Sequence, residues 1–325
     1  MAGAKYILPA RRFAKVIIAT GNYFSEKRGA NLRYNCPIQY MRKNKLLFVG
    51  AHPDDETFGV GGTLAKYILA GAGVYYACAT RGEAGSVDAA LLKGYENIGD
   101  LRWAELECAS GILGLAGLYG LGYRDSGMTG SEDNHHPQAL AAAPIEEVAE
   151  RIVKIIRDIK PQVVVTFDPI GGYRHPDHIA IHKATVLAFH AAGDPARYPG
   201  AGDPYQPQKL YFQVMSRGLL KIAVKVLPLF GQDPRRFGRN RDIDITALAS
   251  VDFPVHARVQ LTKEARELQE KARACHISQV GSGPPRRMSL MGLVSKLAGQ
   301  RDSFMRAYPP PVSERLEHDL FENVE

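Results

Sequence analysis

The chain has 325 residues, 45% apolar and 23% charged, a composition that builds a globular core rather than a disordered segment. No apolar run approaches the ~18 residues needed to cross a bilayer, which excludes a spanning helix. The formal charge of +7 is concentrated in residues 1–40, where seven Lys/Arg meet one acid, Glu26. The rest is nearly neutral, so a nucleic-acid partner, which needs a basic stripe on the folded body, is not expected.

Residues 1–40 lack the apolar core and cleavage pattern of a secretory signal and are too poor in Ser for a transit peptide. They read as a basic extension that is dispensable, ahead of a domain that starts at Met41 and runs to about 310. From there, strand and helix alternate. "KLLFVG" (45–50) is a continuous apolar run, as in a strand covered on both faces. A helix is predicted over 61–73, a strand over 74–80 and a helix over 100–115 with Leu101, Leu106 and Ile112 inward. A short strand follows over 117–121. "PIEEVAERIVKIIRDIK" (144–160) is an amphipathic helix with Val148, Ile152, Ile155, Ile156 and Ile159 on one face. A strand over 161–169 and a helix over 178–192 follow. This order implies an α/β fold with a parallel sheet. Residues 193–242 read as a loop-rich cap apart from a strand at 209–214. A strand over 243–254, a helix over 258–276 and a helical or irregular tail over 288–325 complete the reading, with 311–325 outside the domain. The cysteines Cys36, Cys78, Cys108 and Cys275 are scattered and include no CxxC pair. Neither a cysteine zinc site nor a disulfide framework is expected, and a reduced, cytoplasmic setting is.

Ligands collect beyond the carboxyl ends of the strands of an open parallel sheet. Three polar clusters fall at that edge: His52–Glu56, "TRGEAGS" (80–86) and "FDPIGGYRHPDHIAIH" (167–182). His52 and Asp55 form H-x-x-D; His175 and His178 form H-x-x-H. Imidazoles and a carboxylate with an open fourth position suit a hydrolytic zinc, and a spare carboxylate can act as general base. Taken alone, 175–182 could merely cap and pack a helix, with Asp177 as the capping residue. Together the clusters favour a cation, because Asp54, Asp55, Glu56, Asp168 and Asp177 would otherwise crowd one edge without compensation.

"AHPDDE" (51–56) with "HPDH" (175–178) strongly resembles the LmbE-like, or PIG-L, family of zinc-dependent N-deacetylases. "TRGEAG" (80–85), the R-x-x-E of Arg102 and Glu105, "YRDSGM" (123–128) and "HISQ" (276–279) add to the resemblance, which covers about 43–280. It implies a Rossmann-like sheet flanked by helices and a Zn2+ ion, with Fe2+ as the other option. The implied ligands are His52, Asp55 and His178. Asp54 resembles the general base. His175, held by Asp177, resembles the group that stabilises the oxyanion and protonates the amine, and Tyr173 one that polarises the carbonyl. Arg81 and Asp125 resemble sugar-binding positions. Arg174 stands where relatives often have glycine. The implied substrate is a small N-acyl amino-sugar conjugate, most simply N-acetylglucosamine-based, of the GlcNAc-inositol or thiol-conjugate branch. An amidase for larger acyl groups and a non-catalytic metal- or sugar-binding protein are the alternatives. A homo-oligomer is compatible with all three.

Overall fold

An apolar run with no polar face must be covered on both sides, and Leu46, Leu47, Phe48 and Val49 are each fully buried in strand β1 (Lys45–Gly50) at the centre of the sheet. The computed structural model describes residues 44–214, 217–237, 244–280 and 301–325; the expected extension over 1–40 lies outside them. β1 pairs in parallel with β2 (Gly73–Cys78) on one side and β4 (Val163–Phe167) on the other. β3 (Gly117–Gly120) extends the sheet beyond β2, and β5 (Lys209–Val214) extends it beyond β4, again in parallel. Successive connections therefore leave β1 in opposite directions, which opens a crevice beyond the carboxyl ends of β1 and β4. Among the described residues no helix is long and apolar enough to cross a membrane.

Helix α3 (Ile98–Leu113) starts where the Asn97 side chain accepts the Asp100 N–H at 3.0 Å. Leu101 and Leu106 face inward as expected, but Ile112 is 40% exposed and points away from the core. Helix α4 (Ile145–Ile159) buries all five apolar residues of its predicted stripe and packs on α6 (Pro176–Ala191). The loop after α6 is held by Arg157 of α4. Its buried guanidinium donates to the carbonyls of Ala192, Asp194, Arg197 and Tyr198, among others.

The C-terminal half departs from the sequence reading. Residues 217–226 of the expected loop-rich cap form helix α7 (Arg217–Val226). The expected strand over 243–254 is a short helix, α8 (Ile245–Ala249), nucleated by Asp244, which accepts the Thr246 and Ala247 N–H groups. The helix expected over 258–276 begins later, as α9 (Lys263–Arg273), after β6 (Ala257–Gln260). The tail contributes β7 (Arg301–Tyr308), which inserts between β5 and β6 and runs antiparallel to both. Beyond it, Leu320 and Phe321 enter the main core, and the buried Glu317 accepts from Lys209 and Tyr211. Among the described residues Cys108 and Cys275 form a single disulfide, a pairing their sequence spacing does not suggest. α3 and α9 pack together and bring the two Cα atoms to 5.9 Å across 167 residues of sequence. These cysteines therefore lend no support to a reducing compartment.

On β7, Asp302 accepts the N–H and hydroxyl of Thr63 in α2 (Gly61–Leu69), and burial pushes its carboxyl up to about 6. A raised carboxyl favours folding only while protonated. Its contribution is full below the ordinary carboxylate range and is lost as pH rises through about 6. Asp302→Asn keeps the acceptor without the charge. It is expected to stabilise the fold at pH 8 by roughly 1–2 kcal/mol and by little at pH 4. Thermal unfolding at the two pH values checks this; equal shifts would mean that Asp302 is not held protonated.

Candidate active site

Where β1 ends, the backbone turns sharply beneath polar groups supplied by its neighbours. Tyr76 of β2 donates its hydroxyl to the His52 carbonyl at 2.7 Å, and Thr80 donates to Ala51 at 3.0 Å. Asp55 opens helix α1 (Asp55–Phe58) and closes the turn: its Oδ2 accepts the N–H groups of Ala51 and His52 at 2.9 and 2.8 Å. Its Oδ1 is left 3.5 Å from Nε2 of His178, in the first turn of α6. Nδ1 of His52 lies 3.2 Å from the same His178 nitrogen. The ring of His178 stacks on Phe167 at the end of β4. Helix α5 (Gly171–Arg174) leads into this region with Gly171 at φ +66°, where an added Cβ would lie 2.7 Å from Cβ of His178. Glycine there permits both the turn and the close approach. Arg174, the departure from the family pattern, has φ +69°, a left-handed conformation that explains why glycine suits the position.

His52 presents its two nitrogens to different partners. Nδ1 faces His178, while Nε2 is 3.1 Å from Asp177 and 3.4 Å from Asp125. Asp177 also accepts the Ser126 N–H at 2.9 Å and the Ser126 hydroxyl. The expected pairing of the Asp177 carboxylate with His175 is therefore corrected. Only the Asp177 backbone N–H touches His175, donating to its Nδ1 at 3.2 Å where His175 caps α6. Asp125, expected at the sugar, is buried against His52 and accepts the Gly127 N–H. Ser126 was not singled out from sequence; its place inside "YRDSGM" was the available signal.

Asp54 has φ +121°, strained for a residue with a Cβ. Several contacts hold it there. Its N–H donates to Oε2 of Glu56 at 2.9 Å, and its carbonyl accepts the Thr57 and Phe58 N–H groups. Arg102 of α3 donates to the Pro53 carbonyl at 2.8 Å and to Oδ2 of Asp54 at 3.2 Å. Glu56 is fully buried and pairs with His276 at 2.6 Å. Glu105 accepts from the backbone and hydroxyl of Ser278 in α10 (Ile277–Val280). The R-x-x-E and "HISQ" segments thus buttress the "HPDDE" turn.

Tyr173 sits edge-on to His178 at 4.9 Å between ring centres and to His175 at 5.8 Å. His182 turns away and bonds the Phe167 carbonyl through Nδ1 at 2.8 Å. Arg81 is half-exposed, paired with Asp100 at 2.7 Å and stacked over Trp103. It rims a crevice of about 310 Å³ shared with Glu83, Tyr123, Arg124 and Gln138.

Burial pushes the Asp55 carboxyl up to about 7 against the pull of His52. Burial, reinforced by His52, holds His178 well below the ordinary histidine range. Burial also opposes a charge on His52, but Asp125 and Asp177 override it and raise its pKa. His175 is pushed down to about 3 by burial and then by His52. A cation between His52, Asp55 and His178 fits this donor set: their ligand atoms lie within 4.8 Å of one another, and a positive charge there would favour ionised Asp55 and neutral His178. His52, Asp125, His175 and Asp177 form a second close group. Its two carboxylates meet His52 on the nitrogen turned away from the first set, as partners that orient a metal-bound imidazole do.

The family model described as "PIG-L: GlcNAc-PI de-N-acetylase" matches residues 47–189. A 1D-myo-inositol 2-acetamido-2-deoxy-alpha-D-glucopyranoside deacetylase of Geodermatophilus obscurus is 37% identical over 245 residues, covering 73% of this chain and 83% of that protein. A deacetylase of the same name from Streptomyces scabiei is 41% identical over 253 residues, covering 74% and 78%. Among solved structures, the N,N'-diacetylchitobiose deacetylase of Pyrococcus horikoshii superposes with a TM-score of 0.55 at 20% identity, over 81% of this chain and 83% of that one, a likeness of fold. With relatives at this identity covered over most of their length, the chain belongs to the PIG-L family of de-N-acetylases, hydrolases of amide bonds.

Proposed function

We propose that the protein is a zinc-dependent deacetylase that removes the N-acetyl group from a glucosamine-type conjugate, with GlcNAc-inositol as the first candidate. The observation that carries this reading is a strained carboxylate, Asp54, held beside the buried donors His52, Asp55 and His178. Two imidazoles and one carboxylate suit zinc and also ferrous iron. Held by these three residues, such an ion supplies Lewis acidity to the acetamide carbonyl and acidifies a water. Asp54, with Arg102 on one oxygen, takes a proton from the attacking water. Tyr173, whose hydroxyl burial keeps protonated, donates to the developing oxyanion. His175 accepts the Asp177 N–H on Nδ1 and is neutral, so its own proton lies on Nε2. That suits it to hydrogen-bond the oxyanion. The proton taken up by Asp54 is then the one returned to the departing amine. Asp177 and Asp125 act by holding His52, and Arg81 meets the polar end of the conjugate from the rim of its crevice.

A crevice of about 530 Å³ lined by Leu140, Ile145, Val148 and Ile179, with Thr129 and Lys183, includes Pro176, next in sequence to His175, and favours a second reading in which a larger acyl group is cleaved. A panel of GlcNAc-inositol and its longer N-acyl analogues, scored by release of the primary amine, separates the two. Amine release from none of them, by zinc-loaded enzyme, would reject both.

Residues 1–40 carry most of the net charge, and β1 begins only at Lys45. A chain starting at Met41 is expected to retain kcat/KM within about twofold of the full chain. Loss of activity or solubility on truncation would assign the extension a role.

A further inference from the structure

His276 and Glu56 are both fully buried and 220 residues apart, yet they form one of the shortest ion pairs among the described residues, at 2.6 Å. The reaction scheme uses neither. What the pair holds is specific. The second oxygen of Glu56 accepts the N–H of Asp54, at 2.9 Å, and Asp54 is the residue with φ +121°. A non-glycine residue with this backbone persists only where its surroundings over-determine it. Arg102 holds the preceding carbonyl and one carboxylate oxygen; Glu56 holds the amide. A glutamate two residues along the chain could rotate away. It is fixed because its other oxygen is anchored to a side chain from a distant segment. That segment is anchored in turn: Cys275, next to His276, is bonded to Cys108 of α3, and Ser278 is bound by Glu105 of α3. Arg102 belongs to the same helix.

We infer that His276 is a positioning residue for the reaction: through Glu56 it locks the strained Asp54 backbone so that the Asp54 carboxylate faces the attacking water. This rests on the reading of Asp54 as the base. By hydrogen bonds His276 reaches residue 54 through Glu56 and touches none of His52, Asp55 or His178; its charge also acts on the Asp54 carboxylate across the same short span. Its loss should therefore lower kcat while sparing KM and metal.

The test uses the full-length, zinc-loaded protein with GlcNAc-inositol. His276→Leu removes the donor, whereas His276→Gln places an amide N–H near the position of Nε2. His276→Leu is expected to lower kcat by roughly 10–100-fold, the usual cost of losing a partner one step from the reacting groups, with KM and zinc content within about twofold. His276→Gln should recover most of the loss. Amide hydrogen exchange should quicken at residues 54–58 and not across the sheet. Asp54→Asn combined with His276→Leu should be no slower than Asp54→Asn alone, since both act on one group. Unchanged kcat in folded His276→Leu, a loss that appears in zinc content, or full additivity with Asp54→Asn would each overturn the inference. Should His276→Leu fail to fold, Glu56→Asp decides. It keeps the charge but cannot span both Asp54 and His276, so kcat should fall with zinc retained, and unchanged kcat would overturn the proposal. If Asp54→Asn itself costs no activity, the assignment of the base fails first. If Asp54→Asn is slow while His276→Leu is normal, only the positioning role fails.

Discussion

Asp54→Asn is expected to keep its metal and fold while losing turnover by roughly 10²–10⁴, the usual worth of general acid–base catalysis. Asn has the shape and volume of Asp but no basic oxygen. The fold should tolerate it for two reasons. Asn occupies positive-φ conformations at least as readily as Asp, so φ +121° is no harder to hold. Its side-chain carbonyl can still accept from Arg102, which donates to Oδ2 of Asp54 at 3.2 Å. The metal should stay because neither close donor group includes Asp54. Zinc content by elemental analysis and kcat on the true substrate decide the matter together. Loss of zinc would make Asp54 a ligand and reassign the roles within "HPDDE". Retained zinc with full activity would remove Asp54 from the reaction.

His178→Ala is expected to lose the metal, and with it all measurable turnover. His178 is 2% exposed, and its Nε2 lies within 3.5 Å of both Nδ1 of His52 and Oδ1 of Asp55. Removing it leaves two donors where a stable catalytic site needs three protein ligands. His182, one turn further along α6, belongs to neither close donor group. The wild-type chain should bind about one zinc, and His178→Ala roughly a tenth of that or less at equal free metal. Deleting the ring also removes its stacking on Phe167, so circular dichroism should accompany the metal assay. Near-full occupancy in folded His178→Ala would transfer the ligand role elsewhere, with His175 the nearest alternative.

The sequence alone determined those features whose cause is local. An unbroken apolar run has to be a doubly covered strand, and 45–50 is one. The 3.6-residue stripe of 145–159 has to face a core, and all five of its predicted positions do. The β-α order put His52 and His178 at one sheet edge, and the pairing of β1 with β4 sets the two rings side by side. Tertiary structure decided the rest, because the partners lie far apart in the chain. Which nitrogen of His52 faces His178 and which faces Asp177 depends on three separate segments closing on one ring. Asp125 reads as a sugar-binding position in a loop beside the site, and its burial against His52 appears only when that loop folds over the ring. Cys108 meets Cys275 because α3 packs on α9, and Glu56 meets His276 because α1 packs on α9, across 167 and 220 residues of sequence. β6 and β7 carry weak local signals: β6 is four residues long at the sheet edge, and β7, interior between β5 and β6, reads RDSFMRAY with no sustained apolar run. Propensity and periodicity act over a few residues, whereas strand order, ring orientation and ion pairing are settled by which surfaces the collapsed chain buries together.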